Sequence, residues 1–195
     1  MIHRAGTEIV NWYLLEEAGR VTIVDAGCPS YRSQLEGALA AIGRKIDDVD
    51  AIVLTHAHID HVGFSQRLQD ERGIPVYAHQ EELPQAQTGK PPKTEGSFFP
   101  QLFRYPTARR VVFHIVRNAG ARPPKVARVA LCGFQTITGE PGPILPPREF
   151  NNSTAKARTA LERIEALDAQ TLYFGHGTPW TGGAAAAAAE ARLRS

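Results

Sequence analysis

The period of the apolar positions changes several times along the chain, and each change marks an element. Residues 8–15 and 20–25 are apolar, β-branched runs joined by Glu16-Glu17-Ala18-Gly19, the pattern of a β-hairpin. Leu35, Leu39 and Ile42 recur at helical spacing before Gly43, which predicts an amphipathic helix over 31–42. Residues 51–54 form a short, wholly apolar run of the kind that becomes a buried strand, and 55–61 a polar loop. A helix over 62–72 stopped by Gly73, then a strand over 74–78, continue the alternation.

From 83 to 106 the chain is rich in Pro, Lys, Thr and Gly without periodicity and reads as a long loop. Pro106 opens a helix through 117 with Val112, Ile115 and Val116 on one side. Residues 126–131 suit a strand, and the Pro- and Gly-rich stretch 136–150 is irregular. Order returns with Ser153 as N-cap and Leu161, Ile164 and Leu167 on one helical stripe. A strand over 171–174 leads into Gly175-His176-Gly177, and the alanine tract 184–189 has the propensity of a surface or terminal helix. Strand and helix in alternation make this an α/β protein, and 195 residues suit one domain over 1–195.

Composition narrows the class. Hydrophobic residues are 43% and charged residues 22%, ordinary globular usage that excludes disorder and fibrous repeats. No apolar run approaches the roughly 20 residues of a membrane span. The start, MIHRAGTEIV, lacks a signal peptide's apolar stretch, so a cytoplasmic protein with no membrane partner is expected. Cys28 and Cys132 are too few for a disulfide framework and read as free thiols. A net charge of +2 does not argue for nucleic acid as partner. Its distribution is uneven, because no acidic residue lies between Glu95 and Glu140 while Arg104, Arg109, Arg110, Arg117, Arg122, Lys125 and Arg128 do. Such a run either steers an anionic small-molecule substrate or is a solvated basic face.

The chemistry concentrates in His56-Ala57-His58-Ile59-Asp60-His61, four metal-ligating side chains in six residues directly after a buried strand. Imidazole and carboxylate suit Zn, Fe or Mn. Positions i and i+2 of an extended segment point the same way, so His56 and His58 can grip one ion, while Asp60 and His61 can face a second. His79 reads as near the site without ligating, and His114, among apolar neighbours, as partly buried or pocket-lining.

Thr55-His56-Ala57-His58-Ile59-Asp60-His61 resembles the signature of the metallo-β-lactamase superfamily, which includes glyoxalase II and quorum-quenching lactonases. Val24-Asp25-Ala26-Gly27 is similar to the strand-end Asp and Gly that precede that signature, and Tyr173-Phe174-Gly175-His176-Gly177 resembles its closing Gly-His-Gly. The resemblance implies a four-layer αβ/βα sandwich with a dinuclear zinc site, Fe or Mn being alternatives. It implies His56 and His58 on the first metal, Asp60, His61 and His176 on the second, and Asp25 orienting a ligand from behind.

The departures are equally specific. The resemblance calls for a third histidine on the first metal and a later aspartate bridging both ions. No histidine lies between His114 and His176, and no aspartate between Asp70 and Asp168. A block of a few tens of residues is missing around Val129-Ala130 on one alignment; on another, Thr138-Gly139-Glu140 stands for the bridging segment. The second sheet should then be incomplete, with an open edge that invites homo-oligomers. The implied activity is hydrolysis of a small ester, lactone or thioester by a metal-activated water, with Asp60 as catalytic carboxylate. The alternative is a non-catalytic metal-binding or scaffold protein of the same ancestry.

Overall fold

Ala18 and Gly19 both take positive φ, 48° and 81°, as a two-residue hairpin turn of the primed type requires. Strand β2 (Asn11–Glu17) therefore folds straight back on β3 (Arg20–Val24), with Glu17 opposite Arg20. The expected hairpin is present with a tighter turn than the four-residue connection read from sequence. The computed structural model describes residues 1–90, 106–119, 124–126, 130–131, 143–145 and 153–194. They divide into two compact units, one built on Met1–Pro91 and Val112–Phe134, the other on Pro92–Val111 and Gln135–Ser195.

The first unit holds a mixed six-stranded sheet in sequential order, β1 (Ile2–Gly6), β2, β3, β4 (Val49–Val53), β5 (Val76–Ala78) and β6 (Ala130–Leu131). The β1–β2 and β2–β3 pairs are antiparallel, and β3 through β6 run parallel. β1 was not expected from sequence. It is an edge strand whose Ile2, Ala5 and charged neighbours carry no clean alternation.

The helices between the parallel strands depart from expectation where Pro or Gly intervenes. The 31–42 helix is a 3₁₀ turn, Pro29–Gln34, that passes into α1 (Leu35–Ala41). The helix expected over 62–72 is α3 (Ser65–Arg72), and the expected 55–61 loop ends in a short helical turn, α2 (Ile59–Val62), separated from α3 at Gly63. Gly73 ends α3 in the left-handed conformation, φ 68°. Part of the expected 83–106 loop is helical: a 3₁₀ turn Gln80–Glu82 continues into α4 (Leu83–Thr88), with Pro84 in its first turn and Ala86 buried. Residues 91–105 lie outside the described ones. Helix α5 (Pro106–Asn118) forms as predicted. Trp12, Ile23, Leu35, Leu39, Ile52, Leu54 and Leu68 are buried in one core, where Trp12 meets Phe64 edge to face at 5.4 Å.

In the second unit Ser153 caps α6 (Thr154–Glu165), its Oγ accepting the Lys156 N–H at 3.3 Å. Leu161 and Ile164 of α6 share a core with Ala184, Ala187, Ala188 and Ala191 of α7 (Ala184–Leu193). The alanine tract thus packs through one face. The strand expected over 171–174 is reduced to an isolated bridge, Leu172 to Trp180, with Phe174 buried in the core ahead of Gly175. Residues 127–129, 132–142 and 146–152, which include Cys132, Glu140 and most of the expected second sheet, lie outside the described ones. Among the described residues no helix is long and apolar enough to cross a membrane.

Candidate metal centre

In open parallel sheets the carboxyl ends of adjacent strands create the crevice where ligands bind. Here β3 ends at Asp25, β4 runs into Thr55 to His61, and β5 runs into His79 to Glu82. The strands are in register at these ends: the Asp25 N–H donates to the Val53 carbonyl at 2.9 Å, and the Leu54 N–H to the Tyr77 carbonyl at 2.8 Å.

Asp25 organises the centre. It is buried and sits at φ 59°, a left-handed conformation that costs a non-glycine residue about 1 kcal/mol and persists where the surroundings over-determine it. They do so here. Its carboxylate accepts the Thr55 N–H at 2.8 Å, the Thr55 hydroxyl at 2.8 Å and the His61 Nδ1–H at 2.7 Å. Thr55 has one hydroxyl proton, and with that given to Asp25, its Oγ1 accepts from His56 Nδ1 at 3.1 Å. Both imidazoles therefore carry their proton on Nδ1 and turn Nε2 towards the centre, the tautomer a metal ligand needs.

The remaining groups crowd around. The His56 ring lies 4.0 Å from that of His61 and 4.5 Å from that of His58, centroid to centroid. Asp60 is buried, with Oδ2 3.5 Å from His61 Nε2. The turn that carries Asp60 and His61 is stapled to the β3 end: the Ala26 N–H donates to the His61 carbonyl at 2.7 Å and the Phe64 N–H to the Ala26 carbonyl at 3.3 Å. A Cβ on Gly63 would stand 1.9 Å from the Gly27 oxygen, so this approach requires glycine.

Electrostatics give the donor set its purpose. Burial alone draws His61 towards its neutral form. The charges of Asp25 and Asp60, the Asp25 hydrogen bond and the charge of Glu82 outweigh it and raise the pKa to about 9, so without an ion Nε2 also carries a proton, which a bound cation would displace while Nδ1–H stays on Asp25. Buried carboxylates in excess of buried cations need a positive partner. Imidazole and carboxylate donors are the types that suit a divalent transition ion, Zn²⁺ first and Fe or Mn next.

The structure sets the His56 ring against those of His58 and His61, places Asp60 beside His61, and bonds Asp25 to His61 and Thr55. His176 lies in the second unit, half-buried after Phe174 in its Gly-His-Gly turn. His79 caps a turn, its Nδ1 accepting the Glu81 N–H at 3.2 Å. His114 is half-buried on α5, its Nε2 paired with the Tyr31 hydroxyl, which also meets Thr7 Oγ1 at 3.0 Å. Arg109, Arg110 and Arg117 are exposed on α5. Glu82 escaped the sequence reading: its Oε2 accepts the Ala57 N–H at 2.8 Å. Two adjacent glutamates after a strand were the available signal, and the sequence does not say which one turns inward.

The family model of the metallo-beta-lactamase superfamily matches residues 5–129. Probable metallo-hydrolase YflN of Bacillus subtilis (strain 168) is 25% identical over 226 residues, covering 93% of this chain and 85% of YflN. The Rm3 metallo-beta-lactamase superposes with a TM-score of 0.71 at 17% identity, over 98% of this chain and 88% of that one. A metallo-beta-lactamase family protein from Thermus thermophilus does so with a TM-score of 0.66 at 22% identity, over 98% and 78%. These structural likenesses show the metallo-β-lactamase fold, in agreement with the αβ/βα class expected from sequence. The chain belongs to the metallo-beta-lactamase superfamily.

Proposed function

We propose that the chain is a zinc-dependent hydrolase of a small ester, lactone or thioester, with His56, His58, Asp60, His61 and His176 as the metal-binding set. Superfamily membership and the likeness to a probable metallo-hydrolase support metal-dependent hydrolysis as the general class. The observation that carries the reading is the proton chain from His56 through Thr55 to Asp25, with His61 on the same carboxylate. Holding two imidazoles in one tautomer has little structural use and is what ligation requires. A divalent ion bound there supplies a Lewis acid for the substrate carbonyl and brings the acidity of water near neutrality. Asp60 orients the attacking water, accepts its proton on a carboxylate oxygen and delivers it to the leaving alkoxide or thiolate. An anionic substrate suits the basic run that includes the exposed Arg109, Arg110 and Arg117. We read the protein as cytoplasmic and both units as parts of one domain.

A second reading, a non-catalytic metal-binding or scaffold protein, is favoured by one sequence fact: no histidine lies between His114 and His176 and no aspartate between Asp70 and Asp168 to supply the third ligand and the bridge. Two comparisons support a missing block. The family match ends at residue 129, and the alignment with YflN runs over more positions than this chain has residues. Elemental analysis after dialysis, followed by an ester, lactone and thioester panel, separates the two readings. Nearer one ion than two per chain is expected, with turnover that Asp60→Asn lowers by about 100-fold or more through loss of the proton acceptor. A bound ion without turnover on any panel member assigns the scaffold role, and two tightly held ions overturn the expectation of an incomplete site.

A further inference from the structure

We propose that Glu82 is a positioning residue for the metal-ligand loop, fixing the His56–His58 pair through its hydrogen bond to the Ala57 amide; the inference rests on the metal-binding reading of that loop. Strand β4 lies between β3 and β5, and the loop that leaves it is held by a carboxylate from each neighbour. From the β3 side, Asp25 Oδ1 accepts the Thr55 N–H at 2.8 Å. From the β5 side, Glu82 Oε2 accepts the Ala57 N–H at 2.8 Å. The two bonds fall on Thr55 and Ala57, so they fix the Leu54–Thr55 and His56–Ala57 peptides, and the second also sets the approach to His58. The chain bends at Thr55 and His56, and the His56 and His58 rings meet edge to face at 4.5 Å, so their relative placement depends on the backbone between them. Ala57 is the residue between them, and its own side chain is buried in the core.

Glu82 is itself held. The His79 side chain caps the turn at the Glu81 N–H, the Glu82 N–H donates to the His79 carbonyl at 2.9 Å, and α4 continues directly from that turn. Helix α4 is anchored in turn through the buried Ala86, whose carbonyl accepts the Val126 N–H at 2.7 Å. The glutamate thus reaches the loop from a turn fixed at both ends. Its charge also reaches His61. Bond and charge are separable by substitution: Gln keeps the length and an oxygen acceptor but loses the charge, whereas Asp keeps the charge and falls one methylene short of Ala57.

The test is cobalt(II) titration of the full chain, followed by visible absorption, for wild type, E82Q, E82D, E82A and H58A. Wild type and E82Q are expected to bind within about threefold of each other, and E82D and E82A more weakly by about 10- to 100-fold, the scale on which ligand-supporting groups act. The saturated cobalt spectra of E82D and E82A should shift in the visible bands, because the geometry at the ion changes. A loss of fold stability alone would not move them. Should E82A fail to fold, the Gln and Asp pair decides. Wild-type-like affinity and spectrum in E82D overturn the positioning role while leaving the metal reading intact. Weak binding by E82Q beside normal binding by E82D overturns it in favour of charge alone. No cobalt binding by wild type, or binding that H58A leaves unchanged, overturns the reading of the loop and the role of Glu82 with it.

Discussion

Asp25 shows how one buried side chain sets the state of several others. Asp25→Asn keeps the volume but puts an N–H where one of three donors must be accepted, leaving a buried donor facing a donor. Breaking a buried, hydrogen-bonded pair in this way costs about 3 kcal/mol or more, and loss of an orienting partner lowers metal affinity about 10- to 100-fold. A urea titration and a zinc titration of the same variant read the two effects; wild-type values in both would remove Asp25 from the centre. Cys28 illustrates the opposite case, a group silenced by its surroundings. Burial first, then the charge of Asp60, pushes its thiol up to about 12. At pH 8 its thiolate fraction is on the order of 10⁻⁴, so in a C132S background the native protein should resist a thiol reagent and react on unfolding. Rapid reaction in the folded state would contradict the burial of Cys28. The four candidate ligands after β4 were legible from their spacing, because the capacity to ligate is a property of side-chain type. The contributions of Glu82 and Thr55 were not, because a carboxylate or hydroxyl serves equally at a surface, a cap or a loop, and only the register of β3, β4 and β5 brings these two to the centre.

At the scale of elements, glycine decides where helices break. Gly63 has φ 28°, and an added Cβ would meet two backbone carbonyls, at 1.9 Å from the Gly27 oxygen and 2.1 Å from the Ala26 oxygen. Neither can move without opening the staple between the β3 end and the turn carrying Asp60. Gly37 lies inside α1 with nothing within 4 Å of its added Cβ. The same substitution should therefore have opposite signs at the two sites. Gly63→Ala should cost about 3 kcal/mol or more, as strain at an over-determined position does, and Gly37→Ala should gain about 0.5–1 kcal/mol of helix propensity. Urea midpoints of the two variants check the pair, and equal shifts would mean that the Gly63 contact is not as close as the structure has it. An apolar stripe located α1, α5 and α6, short apolar runs located β4 and β5, and the stop at Gly73 located the end of α3. Sequence periodicity missed β1, an edge strand without alternation. It also read 55–61 as a loop and began the following helix at Val62, missing the short α2 turn and the break at Gly63, whose effect is tertiary. The turn and helix over residues 80–88 were hidden because Pro84 and polar residues leave Ala86 as the one buried position.

For the molecule as a whole, the arginine partners set the acid limit of stability. Arg44 holds Glu16 below its ordinary value, Arg20 does the same for Asp50, Arg32 for Glu36, Arg67 with Arg32 for Glu71, and Arg192 for Glu165. Each folded pKa lies below its unfolded one, so the unfolded chain binds more protons at low pH. This stabilisation is complete above the ordinary carboxylate range near pH 4, by reference values, and is lost as pH falls through the lowered folded values. Arg20–Asp50 and Arg192–Glu165 are exposed on both sides, so added salt should shrink the acid dependence of the urea midpoint; a dependence that salt leaves unchanged would place its origin elsewhere.

Metal should act in the other direction, as a ligand of the native state alone. His56, His58, Asp60 and His61 converge only when β4 and the α2 turn are folded, so binding free energy becomes folding free energy. At a free ion concentration of about 100 Kd the gain is about 2.7 kcal/mol. For a chain of this size, that corresponds to a melting temperature about 5–10 °C higher. Chelation should remove that increment and zinc should restore it. The Asp25→Asn variant, already weakened in affinity, should respond less at the same ion concentration, and this difference distinguishes binding at the centre from general effects of the chelator. Scanning calorimetry of both proteins with and without chelator makes the measurement. A melting temperature indifferent to chelation in the wild type, with metal confirmed present beforehand, would show that the ion binds where folding does not assemble its ligands, and would remove the His56–His61 cluster as the metal centre.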